Sequence, residues 1–132
     1  MGNAQFKPGF RISITDVLVL IAGAVGSSFV IIIDLGLGLA IAFTVGHFFL
    51  FCNVIRMPRH LELIWAAVFI ILSVCTIEMH SPSWLTTFGI SIGATLVLVI
   101  IQMRHPSYHG VGWVKVNPNL SQWWKTQGHD LQ

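Results

Sequence analysis

Four apolar blocks, each roughly 20 residues long, dominate this sequence. We place them at about residues 14–33, 35–55, 61–77 and 84–103. A helix of about 20 residues is long enough to cross the hydrocarbon core of a bilayer. Charged residues make up only 9% of the 132-residue chain, whereas soluble domains carry about 25%. The pattern predicts an all-α, polytopic membrane protein built as a bundle of four transmembrane helices.

Short polar segments separate the blocks. Asp34 stands almost alone between the first two, which predicts a tight helical hairpin. Pro58 and Pro82 lie in the next two connections, where a proline favours the end of one helix and the start of another. We therefore expect residues 1–104 to form one transmembrane domain and residues 105–132 to form a tail.

The positive charges fall on one side of this predicted topology. They are Lys7, Arg11, Arg56, Arg59, Arg104, Lys115 and Lys125. The positive-inside rule then places both termini in the cytoplasm. Short loops and the lack of a glycosylation acceptor in the outer loops favour a bacterial inner membrane. The net charge of +2 is small and dispersed, which argues against a nucleic-acid partner.

The tail is too polar to span a membrane, but it is rich in aromatic residues. These are Tyr108, Trp113, Trp123 and Trp124. Residues 119–125 are predicted to form a short helix lying in the headgroup layer, where such rings concentrate. The alternative is that the aromatic side chains anchor the tail on a partner protein.

Small residues recur at helical spacing in three of the blocks. They are Ala22/Gly26 and Gly23/Ser27 in the first block, Gly38, Ala42 and Gly46 in the second, and Gly89 and Gly93 in the fourth. Helices in lipid associate closely where small residues let their backbones approach. We expect these faces to meet in a compact bundle, with any remaining face open to a second copy or a foreign helix.

His47 is the most deeply placed ionisable residue, about 13 Å from the Arg56 end of its helix at 1.5 Å per residue. One interpretation is a neutral imidazole packed on Phe43 and Phe51 and bonded to a neighbouring helix. The other is axial ligation of a haem or chlorophyll. No second histidine lies at a matching depth, so such a group would be five-coordinate or shared across a homodimer.

A ring of polar residues is predicted at the cytoplasmic end of the helices. Asp16, Asn53 and Glu62, with Gln102 at similar depth, are candidates for binding a ligand or proton. Candidates for contact with lipid headgroups are Arg56, Arg59, His60, Arg104 and His105. The ring either pairs internally and reaches lipid phosphates, or forms a pocket for a quinone or headgroup or the entry of a proton path.

The sequence offers little support for an enzyme or a metal site. It has no HExxH, Walker or Cys-x-x-Cys motif, and no GxSxG or GxGxxG sequence follows a suitable strand. The leading hypothesis is a structural or accessory subunit of a larger membrane complex, in contact with lipid and with other subunits or copies of itself. The alternatives are a homo-oligomeric transporter or channel that uses Asp16 and His47, and a pigment- or haem-binding subunit with His47 as axial ligand.

Overall fold

The computed structural model describes residues 7–127 of the chain, and in that range the regular structure is entirely helical. Four helical segments there are long and apolar enough to cross a membrane. They are α1 (Ile14–Ile33), α2 (Leu35–Phe49) with its π-helical continuation (Leu50–Ile55), α3 (Arg59–Met79) and α4 (Trp84–Arg104). Two short helices follow, α5 (Trp113–Val116) and α6 (Leu120–Gln127).

The predicted all-α class and the four candidate spans are confirmed. The first span has the predicted bounds, whereas α3 extends beyond the predicted 61–77 at both ends. The start of the predicted domain (1–6) and the end of the predicted tail (128–132) lie outside the described residues.

Side-chain caps fix several helix ends. Ser13 and Asp16 form a reciprocal capping box at the start of α1. Asp34 ends α1 and also begins α2, where its Oδ1 accepts the N–H of Leu37 at 2.8 Å. Ser83 caps α4, but the residue before α3 is Pro58, which has no capping side chain. The N–H groups of Leu61 and Glu62 bond to the Pro58 carbonyl, so the uncapped N–H groups of this turn are those of Arg59 and His60.

Close backbone contact holds α1 against α2. A Cβ atom added at Gly38 would lie 2.5 Å from the backbone nitrogen of Ile31. A Cβ at Gly23 would lie 2.7 Å from a methyl group of Val45. For Gly23 and Gly38, the expectation that small residues bring these two helices together is therefore confirmed.

The expectation is wrong for the glycines of α4. Added Cβ atoms at Gly89 and Gly93 would meet nothing within 4 Å, and the same holds for Gly26 and Gly46. The buried face of α4 instead carries Thr87, Ser91 and Thr95. Hydroxyl side chains at this spacing are small and bond back to their own helix, so they also allow close packing.

Hydroxyl groups join α3 to α4. Thr76 Oγ1 and Thr87 Oγ1 lie 2.7 Å apart, and the indole nitrogen of Trp65 donates to Thr95 Oγ1 at 2.9 Å. The molecule thus consists of two helical hairpins, α1–α2 and α3–α4.

An aromatic cluster joins the two hairpins. The ring of Phe43 on α2 lies 5.4 Å from Phe69 on α3 and 4.9 Å from Phe88 on α4, between ring centroids. Trp65 stacks on Phe69 at 5.2 Å with an interplanar angle of 9°. These offset and tilted contacts each add about 0.5–1.5 kcal/mol beyond the burial of apolar area.

The tail folds back on the end of the helices that carries the arginines, which we call the basic end. Gly110 packs against the carbonyl groups of Val54 and Ile55, where an added Cβ would lie 2.5 Å from the Ile55 oxygen. Tyr108 and Leu120 are fully buried. The predicted helix at 119–125 is present as α6.

Candidate functional site

A π-helical segment organises the basic end. Over Leu50–Ile55 the helix is wider than an α-helix, and the segment ends at Arg56 in the left-handed conformation (φ 54°). The Asn53 carbonyl accepts the N–H of Arg11 at 3.1 Å, and the Val54 carbonyl accepts the N–H of Val111 at 2.8 Å. The segment before α1 and the tail are both tied to α2 through this widened turn, a feature common at functional sites.

The end of α2, the segment before α1, the tail and the start of α3 line an open cavity of about 400 Å³. Its main polar walls are Arg11, Arg56, Arg59, Glu62, Gln102 and His109. We call it the basic cavity. Its volume falls within the usual range of small-ligand sites.

Positive charge dominates the cavity because three guanidinium groups face one carboxylate. Burial, and then the charge of Arg11, lower the pKa of Arg56. The Arg56 guanidinium also donates to the backbone carbonyl of Lys7. Among residues 7–127, no carboxylate lies within 4.0 Å of an arginine nitrogen. The arginines are therefore not neutralised by ion pairs in that part of the chain.

His109 closes one side of the basic cavity. Its Nδ1 donates to the Ser107 carbonyl at 2.8 Å, which favours the protonated ring. Burial outweighs that bond, and with the nearby charge of Arg56 it lowers the pKa of His109. Neutral pH therefore favours the neutral imidazole, whose Nε2 is a hydrogen-bond acceptor.

Two buried polar groups form the inner wall. Glu62 is 7% exposed, and its Oε1 accepts the Cys52 thiol at 3.2 Å. Gln102 is 4% exposed and lines the cavity, and its side-chain amide makes no hydrogen bond within residues 7–127. Within that range the unpartnered side-chain atom shielded from solvent is Ser73 Oγ, so the Gln102 amide keeps contact with the cavity, where water or a ligand can bond it.

The predicted polar ring is divided among separate places. Four members meet at the basic cavity: Arg56, Arg59, Glu62 and Gln102. Asp16 and Asn53 line a smaller cavity of about 120 Å³ between α1 and α2. The remaining members are elsewhere: Arg104 and His105 border a third cavity, next to the tail, and His60 is exposed on α3.

Asp16 has a clear structural partner. Its Oδ2 accepts both the N–H and the hydroxyl of Ser13, each at 2.7 Å. In return, the Ser13 hydroxyl accepts the Asp16 N–H at 3.2 Å. The carboxylate thus caps α1, and its predicted role in binding a ligand or proton stays a prediction.

His47 lies in the aromatic cluster. Its ring stacks on Trp65 at 4.6 Å with an interplanar angle of 11°, and it contacts Phe43 at 4.1 Å. Nδ1 donates to the Phe43 carbonyl of its own helix at 2.8 Å, not to a neighbouring helix. This fixes the tautomer and leaves Nε2 as the atom that could ligate a metal.

The packing contacts of His47 predict a graded loss of stability. His47→Ala is expected to lower the free energy of unfolding by about 2 kcal/mol, because it removes a stacked ring. His47→Phe keeps a ring and should cost about 1 kcal/mol, the value of the lost hydrogen bond. Unfolding followed by circular dichroism in mild detergent measures both; equal losses in the two variants would contradict a packing role.

An apolar groove of about 380 Å³ lies between α2 and α3, remote from the arginines. Thr44, Phe48 and Trp65 contribute to it, and Trp84 closes one end. Ser73 also lines it, and its Oγ is buried without a hydrogen-bond partner in the described part of the chain. The groove is suited to apolar groups such as lipid acyl chains.

Sequence reasoning missed three contributors to the basic cavity. Arg11, Cys52 and His109 line the cavity, but the sequence pattern had not assigned any of them to a binding site. The Gly110-x-Gly112 pattern is the local signal for the close return of the tail. No group of three or more metal-binding side chains occurs between residues 7 and 127.

Comparison with protein-family models, curated proteins and solved structures finds no match to this chain. The class of protein therefore follows from the fold alone. Four apolar helices of spanning length, found within residues 7–127, are compatible with a small integral membrane protein. Its role has to be inferred from the geometry of its surfaces and cavities.

Proposed function

We propose that this protein is an accessory subunit of a larger membrane complex, with the basic end in the cytoplasm. The observation that carries the proposal is the open glycine face of α4. Gly89 and Gly93 are exposed, and nothing lies within 4 Å of the positions that their Cβ atoms would occupy. A GxxxG face of this kind allows close approach of another transmembrane helix.

The arrangement of the helices supports the same proposal. The packed face of α4 is formed by Thr87, Ser91 and Thr95, so its glycines are not needed for the contact with α3. At the other edge of the molecule, α1 has only Ser27 buried along its length. The protein thus offers long helical surfaces to lipid or to other subunits.

We also propose that the protein lies in a bacterial inner membrane with its basic end in the cytoplasm. The positively charged residues lie before α1, at the connection from α2 to the first residue of α3, and at or after the last residue of α4. The positive-inside rule assigns that end to the cytoplasm. Short connections between the helices favour a bacterial inner membrane.

Substitution on α4 tests the proposal. Gly93→Leu should remove most of the associated subunits, because a large side chain prevents the close approach of a partner helix. Native mass spectrometry after mild extraction from the original membrane measures the assembly. Ala67→Leu, at an exposed small residue of α3, is the matched control and should leave assembly unchanged.

Two results would contradict the proposal. One is a wild-type protein that is extracted alone under the gentlest conditions. The other is equal assembly by the wild type and by Gly93→Leu. Thermal unfolding of the isolated variant should match the wild type, because the substituted position has open space.

The two alternative functions have less support. Transport through Asp16 and His47 would need a polar route between them, but Asp16 caps α1 and His47 is stacked among aromatic rings. A homo-oligomer whose flux in liposomes is abolished by Asp16→Asn would favour transport. A haem or chlorophyll at His47 would give a visible absorption band that is lost in His47→Phe.

A further inference from the structure

We propose that the basic cavity binds a phosphodiester group, carried either by a lipid headgroup or by a soluble glycerophosphodiester. The cavity lies at the end of the transmembrane helices, where headgroup phosphates are concentrated. The inference rests on charge, on the start of α3 and on a buried amide. It does not depend on assembly through α4.

Charge is the first argument. Arg11, Arg56 and Arg59 line one cavity, and none has a carboxylate partner within 4.0 Å among residues 7–127. Guanidinium groups form paired hydrogen bonds with phosphate oxygens. A bound anion would also relieve the repulsion between Arg11 and Arg56.

The start of α3 is the second argument. Pro58 and Arg59 border the cavity, and no side chain caps the helix there. The first turn of a helix carries N–H groups without helical partners and a partial positive charge. Phosphate groups bind readily at such ends.

Gln102 gives the independent third argument. It comes from α4, across the cavity from α3, and is 4% exposed. Its amide makes no hydrogen bond within residues 7–127 and faces the cavity. An amide N–H donates well to a phosphate oxygen, so a bound phosphodiester would take the place of water at this amide.

The carboxylate of Glu62 favours a ligand with a single negative charge. Its carboxylate lines the same cavity and would repel a phosphate dianion. A phosphodiester carries a single negative charge, which three arginines can hold despite one carboxylate. A headgroup hydroxyl could then donate to Glu62, as in phosphatidylglycerol.

Lipid titration followed by native mass spectrometry tests the proposal on the full chain in detergent micelles. We expect phosphatidylglycerol to bind about tenfold more tightly than phosphatidylcholine, which has no donor for Glu62. Arg59→Gln should weaken phosphatidylglycerol binding about tenfold through loss of a charged hydrogen bond. Arg104→Gln is the matched control: both arginines are exposed terminal residues of spanning helices, but Arg104 lies outside the cavity.

Gln102→Leu provides a second variant whose folding is not at risk, because leucine is of similar size and needs no hydrogen bond. It should also weaken binding, by about fivefold. If Arg59→Gln and Arg104→Gln weakened phosphatidylglycerol binding equally, the lipid would be attracted to basic residues in general, and the proposed site would be wrong. Unchanged binding by Gln102→Leu would overturn it as well.

The deacylated headgroup, glycerophosphoglycerol, separates the two sources of the phosphodiester. If it competes with the lipid and is weakened by Arg59→Gln, the site accepts a soluble ligand. If only the acylated form binds, with the same loss in Arg59→Gln, the site is specific for lipid. Binding of neither form would contradict the proposal.

Discussion

Replacing Gly38 by alanine is expected to force α1 away from α2 and to lower the free energy of unfolding by about 3 kcal/mol. The added Cβ would lie 2.5 Å from the nitrogen and 2.7 Å from the Cα of Ile31. Both atoms belong to the backbone, so no side-chain rotation relieves the overlap. Equilibrium unfolding in mild detergent, followed by circular dichroism, measures the loss.

Gly46→Ala is the matched control on the same helix. Nothing lies within 4 Å of its added Cβ. Alanine has a higher helix propensity than glycine, so this variant should be as stable as the wild type or up to about 1 kcal/mol more stable. Equal stability of Gly38→Ala and Gly46→Ala would show that the close α1–α2 contact does not contribute to the free energy of unfolding.

The transmembrane helices were predictable because their length and hydropathy are properties of local sequence. Asp34 marked the first connection correctly, since one carboxylate both interrupts the apolar run and caps the next helix. The packing faces were less predictable. Both Gly89/Gly93 and Thr87/Ser91/Thr95 repeat every four residues, and spacing alone does not decide which set faces α3.

The sequence predicted how far along each helix the residues of the candidate site lie. It did not predict which side of the helix each side chain faces. Counting residues from the helix ends correctly placed Asn53, Glu62 and Gln102 near the basic end. Asn53 nevertheless lines the cavity beside α1, whereas Glu62 and Gln102 line the basic cavity. Cys52, next to Asn53 in the sequence, lines both cavities. A shift of one residue along the helix therefore decides which cavity a side chain faces.

The end of α2 explains why the site contains residues that sequence reasoning did not group. The last carbonyl groups of any helix have no helical partner. Here those of Asn53 and Val54, in the final π-helical turn, accept bonds from Arg11 and Val111. These bonds bring the segment before α1 and the tail to the same cavity. Hydrophobic periodicity carries no signal for such a turn.

Replacing Gly110 by alanine is expected to release the tail from the basic end. The added Cβ would lie 2.5 Å from the Ile55 oxygen and 2.7 Å from the Val54 oxygen, and neither backbone group can move without disturbing α2. We expect the free energy of local opening to fall by about 3 kcal/mol. Trypsin should then cleave after Lys115 roughly 100-fold faster, because each 1.4 kcal/mol changes the open population about tenfold.

Val111→Ala is the control for this prediction. The Val111 side chain is 45% exposed, and the substitution keeps its N–H bond to the Val54 carbonyl. Cleavage of this variant should match the wild type.

His109 directly precedes Gly110, so release of the tail should also open the basic cavity and weaken phosphatidylglycerol binding. Slow cleavage of Gly110→Ala would mean that the tail does not depend on this contact, whereas fast cleavage with unchanged lipid binding would remove His109 from the site.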